Sequence, residues 1–184
     1  DDPDDPAARW QRGWYEQDGF RQANDIRQRA IISGIDPARP VSYRVCSRPI
    51  IRFQAYRVQF GDPVVSDIRR LPPRSRADGS VSFVVFNDLH NHAEYLPALI
   101  KVIGGPVDFA VFNGDMLQDP AAESNIVDHL LLPMAWLGSQ GVPCHFLRGN
   151  HEARGAAARL LKNFLVLPDD RYYSALTFGA SRIV

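Results

Sequence analysis

Lysine is nearly missing from this chain. Only Lys101 and Lys162 occur, and arginine supplies every other basic residue. The fourteen arginines of residues 1–80 face eleven acids there, a net +3. We read them as solvated strand faces. Across the whole chain the formal charge is zero, so bulk charge offers no attraction to nucleic acid or to a membrane surface. Cysteine is scarce as well. Cys46 and Cys144 fall in different parts of the chain and on separate expected strands, so a disulfide is not expected. Buried free thiols are the default reading, and they leave the redox compartment open. No apolar run approaches the ~18 residues of a membrane span. The start, Asp1-Asp2-Pro3-Asp4-Asp5-Pro6, has no signal-peptide character and no initiator Met, and is expected to be a processed or trimmed end. Histidine is confined to His90, His92, His129, His145 and His151, with none beyond.

A length of 184 residues suits one domain or two small ones, and 45% hydrophobic residues is ordinary for a globular protein. Organisation changes near residue 70. Arg69–Gly79 holds two prolines and no apolar periodicity, so 69–80 is expected to be a linker. Before it, residues 1–68 offer strand-like runs at Arg27–Ser33, Val41–Cys46 and Ile50–Phe60, with a turn at Gly34-Ile35-Asp36-Pro37. Several short strands and no convincing helix point to a β-sandwich. Trp10, Trp14 and Tyr15 are expected core or interface aromatics.

Residues 81–184 are patterned differently and carry a net −3. Three short apolar runs, Val81–Phe86, Phe109–Phe112 and Cys144–Leu147, read as buried strands. Helical patterns fall over Glu94–Val102, Ala121–Leu137 and Ala156–Phe164, so the unit reads β-α-β-α-β with a mainly parallel sheet. A polar cluster follows each strand: Asp88-Leu89-His90, Gly114-Asp115, and Gly149-Asn150-His151-Glu152. Open α/β sheets hold ligands beyond the carboxyl ends of their strands. The clusters therefore share one rim, where oxygen and imidazole donors without thiolate describe a hard-metal site.

D-x-H, GD and GNHE, in that order and each behind a strand, resemble the calcineurin-like metallophosphoesterase superfamily over roughly Val81 to Val184. The resemblance implies hydrolysis of phosphate mono- or diesters, including nucleotide-like ones, by a hydroxide bridging two metal ions. It implies Asp88, His90, Asp115 and Asn150 as ligands, with Asp115 as the bridge between ions about 3.5–4 Å apart. His151 is implied as a non-ligand that helps the leaving oxygen by proton donation or hydrogen bonding. The donor set admits Mn, Fe, Zn or Mg. Arg148 or Arg154 would meet a substrate phosphate or form a salt bridge to Glu152. Residues 29–45 resemble the end of the fibronectin-III or Ig-like domain that precedes the catalytic part of purple-acid-phosphatase-like enzymes. That arrangement implies a secreted or periplasmic location.

Two departures stand out. Where many members carry an acidic residue that orients the GNH histidine, this chain has Gln118, with Asp119 next. Either Asp119 substitutes, or His151 is held differently. The histidines that the family places downstream are missing, so the remainder of the same polypeptide is expected to complete the site. An inactive, phosphoesterase-like binding or scaffold module is the competing reading. A second competitor rests on His92, because Asp88-Leu89-His90-Asn91-His92 also resembles the opening motif of the PHP phosphoesterases. In the main reading His92 lies near the site without binding metal. His129 and His145 are expected to be structural.

Overall fold

A computed structural model of the chain describes residues 16–17, 20–21, 28, 30, 32–36, 38–73, 79–178 and 181–183. Trp10, Trp14 and Tyr15 lie outside the described residues, as do 27, 29 and 31 of the run expected at Arg27–Ser33. Of that run, residues 28, 30, 32 and 33 are described and are not in a strand. Strands β1 (Glu16–Gln17) and β2 (Phe20–Arg21) pair antiparallel.

The next stretch is one long antiparallel ribbon. β3 (Val41–Tyr43) pairs with β8 (Arg69–Leu71), β4 (Cys46–Ser47) with β7 (Val64–Val65), and β5 (Ile50–Gln54) with β6 (Arg57–Phe60). Backbone bonds from Ser66 N to Val45 O and from Gly61 N to Pro49 O, both 2.9 Å, bridge the gaps between the pairs. The run at Ile50–Phe60 is thus a hairpin turning at Ala55-Tyr56. Among the described residues these strands pair only with one another. Cys46 is exposed, contrary to the expectation of a buried thiol, because nothing described covers this part of the ribbon. Arg69–Leu71, expected to open the linker, instead form β8. Their order comes from cross-strand pairing with Val41–Tyr43, which local apolar periodicity does not register.

The polar clusters ride on a separate parallel sheet of order β11-β10-β9. Its strands are β9 (Phe83–Phe86), β10 (Phe109–Asn113) and β11 (Cys144–Leu147). Parallel neighbours need crossovers, and helices supply them. A 3₁₀ turn at Ala93–Tyr95 leads into α1 (Leu96–Ile103), which stops at Gly104 in the left-handed conformation that a helix end favours. The second crossover comprises α2 (Glu123–Ile126), a π-helical stretch (Val127–Leu131) and α3 (Leu132–Ser139). Pro133 in the first turn of α3 has no N–H to give back toward His129, and its ring crowds that turn. Widening the preceding stretch to π spacing accommodates both effects. The third helical pattern is shorter than its sequence suggests: a 3₁₀ turn at Ala158–Leu160, then α4 (Leu161–Phe164). No helix among the described residues is long and apolar enough to cross a membrane.

Register decides which side chains face the helices. Phe112 lies opposite Phe86 and Phe146 in neighbouring strands, and the three join Val84, Ala110 and Cys144 on one sheet face. Against that face pack Leu96, Ile126, Leu130, Leu137, Leu161 and Leu165. On the other face Phe83 stacks on Phe109 at 5.1 Å, and the His145 ring meets Phe109 edge-on at 5.8 Å, as a structural histidine would. Near the C-terminus β12 (Leu176–Phe178) pairs antiparallel with β13 (Ser181–Ile183).

Candidate metal centre

The loop leaving β9 runs beside the loop leaving β10. His90 N donates to Asp115 O (3.0 Å), Asn91 N to Met116 O (2.8 Å), and Asp88 N to Gly114 O (3.3 Å). At the mouth of these loops Asn113 Nδ2 donates to Asn87 Oδ1 at 2.8 Å. Asp88, His90, Asn91 and Asp115 all have positive φ, between 46° and 72°. Non-glycine residues adopt that region at a cost, and such residues cluster at functional sites. Asp88 and His90 converge through these turns: His90 Nε2 lies 3.7 Å from Asp88 Oδ1.

The loop leaving β11 closes the rim from the other side. Its approach depends on missing side chains. A Cβ on Gly114 would lie 2.7 Å from Gly149 Cα, and one on Gly149 would overlap the Asp115 carboxylate. With that space open, His151 N donates to Asp115 Oδ1 at 2.9 Å. With its amide oriented to suit its neighbours, Asn150 donates from Nδ2 to Asp115 Oδ2 (2.9 Å) and accepts from Arg154 Nη2 (2.6 Å). Glu152, immediately behind, is wholly buried. Its Oε2 accepts from Asp115 N (2.9 Å) and Gly149 N (2.8 Å), and its Oε1 from Leu117 N (3.0 Å).

One result is a compact donor group. His90, Asp115 and His151 each offer a ligand atom within 4.8 Å of the others, and the two imidazoles meet edge to face at 4.4 Å. Asn150 and Asp88 adjoin this group. Nδ1 of His90 is buried with no hydrogen-bond partner in the protein. A carboxylate and two imidazoles gathered in one group are the donor chemistry that Mn, Fe or Zn takes, so the residues present fit a cation.

His151 is oriented by a carbonyl. Its Nδ1 lies 2.8 Å from Gln118 O, an acceptor only, so Nδ1 carries the proton. Arg154 Nη1, at 3.2 Å from the same nitrogen, would need the opposite tautomer, and the shorter contact to the carbonyl decides. The backbone of Gln118 thus does what its side chain was not expected to do, and the Asp119 carboxylate is not what holds His151. Gln118 N in turn donates to Asn91 Oδ1 at 3.0 Å. Neither the carbonyl nor Asn91 emerged from the sequence, since a main-chain acceptor has no residue-type signature.

Other expected residues lie at the margin. His92 is outside the donor group: its Nδ1 pairs with Glu94 Oε1 at 2.7 Å and its ring stacks on Tyr95. That hydrogen bond holds the Glu94 carboxyl below its usual range. Arg148 does not pair with Glu152, whose oxygens are taken by backbone N–H groups. Its guanidinium instead covers the Tyr172 ring at 4.6 Å. Burial raises the Tyr172 hydroxyl above its ordinary pKa, and Arg148 opposes that shift.

A family model described as calcineurin-like phosphoesterase matches residues 81–183, more than half of the chain and the whole of the rim just described. No curated protein and no solved structure matches.

Proposed function

Because the chain belongs to the calcineurin-like phosphoesterase family, we propose that it is a metal-dependent hydrolase of phosphate mono- or diesters with a two-metal site. The observation that carries this reading is that ligands His90 and Asp115 converge with the non-ligand helper His151, one nitrogen or oxygen of each lying within 4.8 Å of the others, at the carboxyl ends of three parallel strands. Asp88 and His90 would hold one ion, Asn150 the second, and Asp115 both. Such ions, when bound, neutralise phosphoryl oxygens and acidify the attacking water.

The protein's own groups do the remaining work. Gln118 O holds the Nδ1–H of His151, which leaves Nε2 free to take up a proton; only in that doubly protonated form can Nε2 give a proton or a hydrogen bond to the departing oxygen. For Asn150 to turn its oxygen toward a cation, Arg154 must release it. That exchange frees a guanidinium beside the site, suited to a substrate phosphate oxygen.

Calorimetric titration of the full-length protein with Mn²⁺, together with hydrolysis of an aryl phosphate, tests the proposal. Bound ions and turnover are expected. Asp115→Asn should lose at least one ion, or weaken binding by about 10–100-fold or more. Full metal content and activity in that variant would remove Asp115 from the bridge. A full-length protein that binds no metal and turns nothing over would be a non-catalytic module instead.

A further inference from the structure

We propose that Glu152 is a positioning residue: its carboxylate ties the loop after β10 to the loop after β11 and so sets where the Asp115 ligand oxygens stand. Among the described residues it is the single charged side chain that is fully buried. An ionised carboxylate in that position is costly unless hydrogen bonds surround it. Three do: Asp115 N and Leu117 N from one loop, and Gly149 N from the other, at 2.8–3.0 Å. Bonds from N–H groups to a charged acceptor are the strong kind.

The geometry gives the clamp a direction. Asp115 has φ 54°, a conformation a non-glycine residue keeps only when its surroundings hold it there. Its N–H is held by Glu152 Oε2, while its Oδ1 takes the N–H of His151, the residue just before Glu152. Oε2 also holds Gly149 N, the point at which the two loops come closest. One carboxylate oxygen therefore sets the distance between the Asp115 backbone and the chain that carries Asn150 and His151. A residue that only filled the core would leave that distance to packing.

The role rests on the metal reading above, and the test separates the two. Glu152→Gln keeps shape and one acceptor. The remaining oxygen is best used at the Oε2 position, where it keeps two bonds. The amide nitrogen then faces Leu117 N–H, donor against donor. In the metal-free full chain, the Leu117 amide should exchange with deuterium about tenfold faster or more, while Asp115 and Gly149 stay protected. Mn²⁺ affinity, measured by calorimetry well below the melting transition, should fall about 10–100-fold.

An unchanged Leu117 amide overturns the clamp. A faster Leu117 amide with unchanged Mn²⁺ affinity leaves Glu152 merely structural and overturns the positioning role. If the full-length wild-type protein itself binds no Mn²⁺, the metal reading fails and takes the positioning role with it. Binding by wild type and variant alike refutes only the role of Glu152. Should the variant not fold, the wild-type chain still decides. Asp115, Leu117 and Gly149 amides are expected to exchange far more slowly than exposed loop amides, and exchange at exposed-loop rates refutes the clamp.

Discussion

Cys144 and Cys46 show how position alone separates two residues of one type. Cys144 lies on β11 with its Sγ near the Met134 and Val142 carbonyls, and burial pushes its thiol up to about 12. Cys46 is exposed on the ribbon. The thiolate is the nucleophile, so at pH 8 iodoacetamide should label Cys46 and spare Cys144, giving one adduct per folded chain by intact mass. Two adducts without unfolding would contradict the burial. The sign of the linked stability follows: the unfolded chain releases this proton near the ordinary value of 9.0, whereas the fold retains it to about 12. Stability from this group therefore declines as pH rises through that window. Glycine acts at the same scale. At Gly114 and at Gly149 a methyl group would push apart the loops that carry Asp115 and His151.

At the scale of elements, the strands deliver the loops and the helices hold the strands. The phenylalanine row Phe86, Phe112 and Phe146 crosses all three strands on the helix-facing side, and Leu130 of the π-helical stretch is fully buried against it. Leu130→Ala cuts a buried isobutyl group back to methyl at a point where the helix is already widened by Pro133. A loss of about 2–5 kcal/mol is expected from urea unfolding, and a loss below 1 kcal/mol would show that the stretch repacks freely. Apolar periodicity made this helix legible in the sequence. It did not reveal the π spacing, because that follows from one missing N–H meeting a packed face. The third helix came out shorter for a related reason. Ala157 N bonds to Pro120 O, and Gly155 abuts the Pro120 backbone, so its first residues serve the loop after β10.

Over the whole molecule two unlike parts meet at a small contact. The ribbon is largely exposed, with Phe53 at 72% and Val64 at 71% accessibility, whereas the parallel sheet holds the core. They touch where Gly141, at the end of the second crossover, approaches the ribbon. A Cβ there would lie 2.9 Å from Pro72 Cδ and 3.2 Å from Arg70 O, and Gly141 has φ 80°. Gly141→Ala should therefore destabilise through both backbone strain and the Pro72 contact, by roughly 1–3 kcal/mol. Thermal unfolding measures this, and an unchanged melting temperature would mean that the contact is slack.

Three short β-rich runs, each followed by D-x-H, GD or GNHE, were enough to determine the parallel sheet, its family and the rim on which the polar residues gather. Those features are local: periodicity and turn chemistry are properties of neighbouring residues, and each strand ends where its cluster begins. Only the tertiary structure decided how His151 is held, why Glu152 is buried, and that Arg69–Leu71 form a strand. Each of these depends on backbone groups far apart along the chain. Gln118 O reaches His151 across 33 positions, Leu117 N reaches Glu152 across 35, and β8 finds β3 from the far end of a ribbon. A main-chain N–H or carbonyl is the same at every residue, so its partner becomes known only when the fold brings the two together.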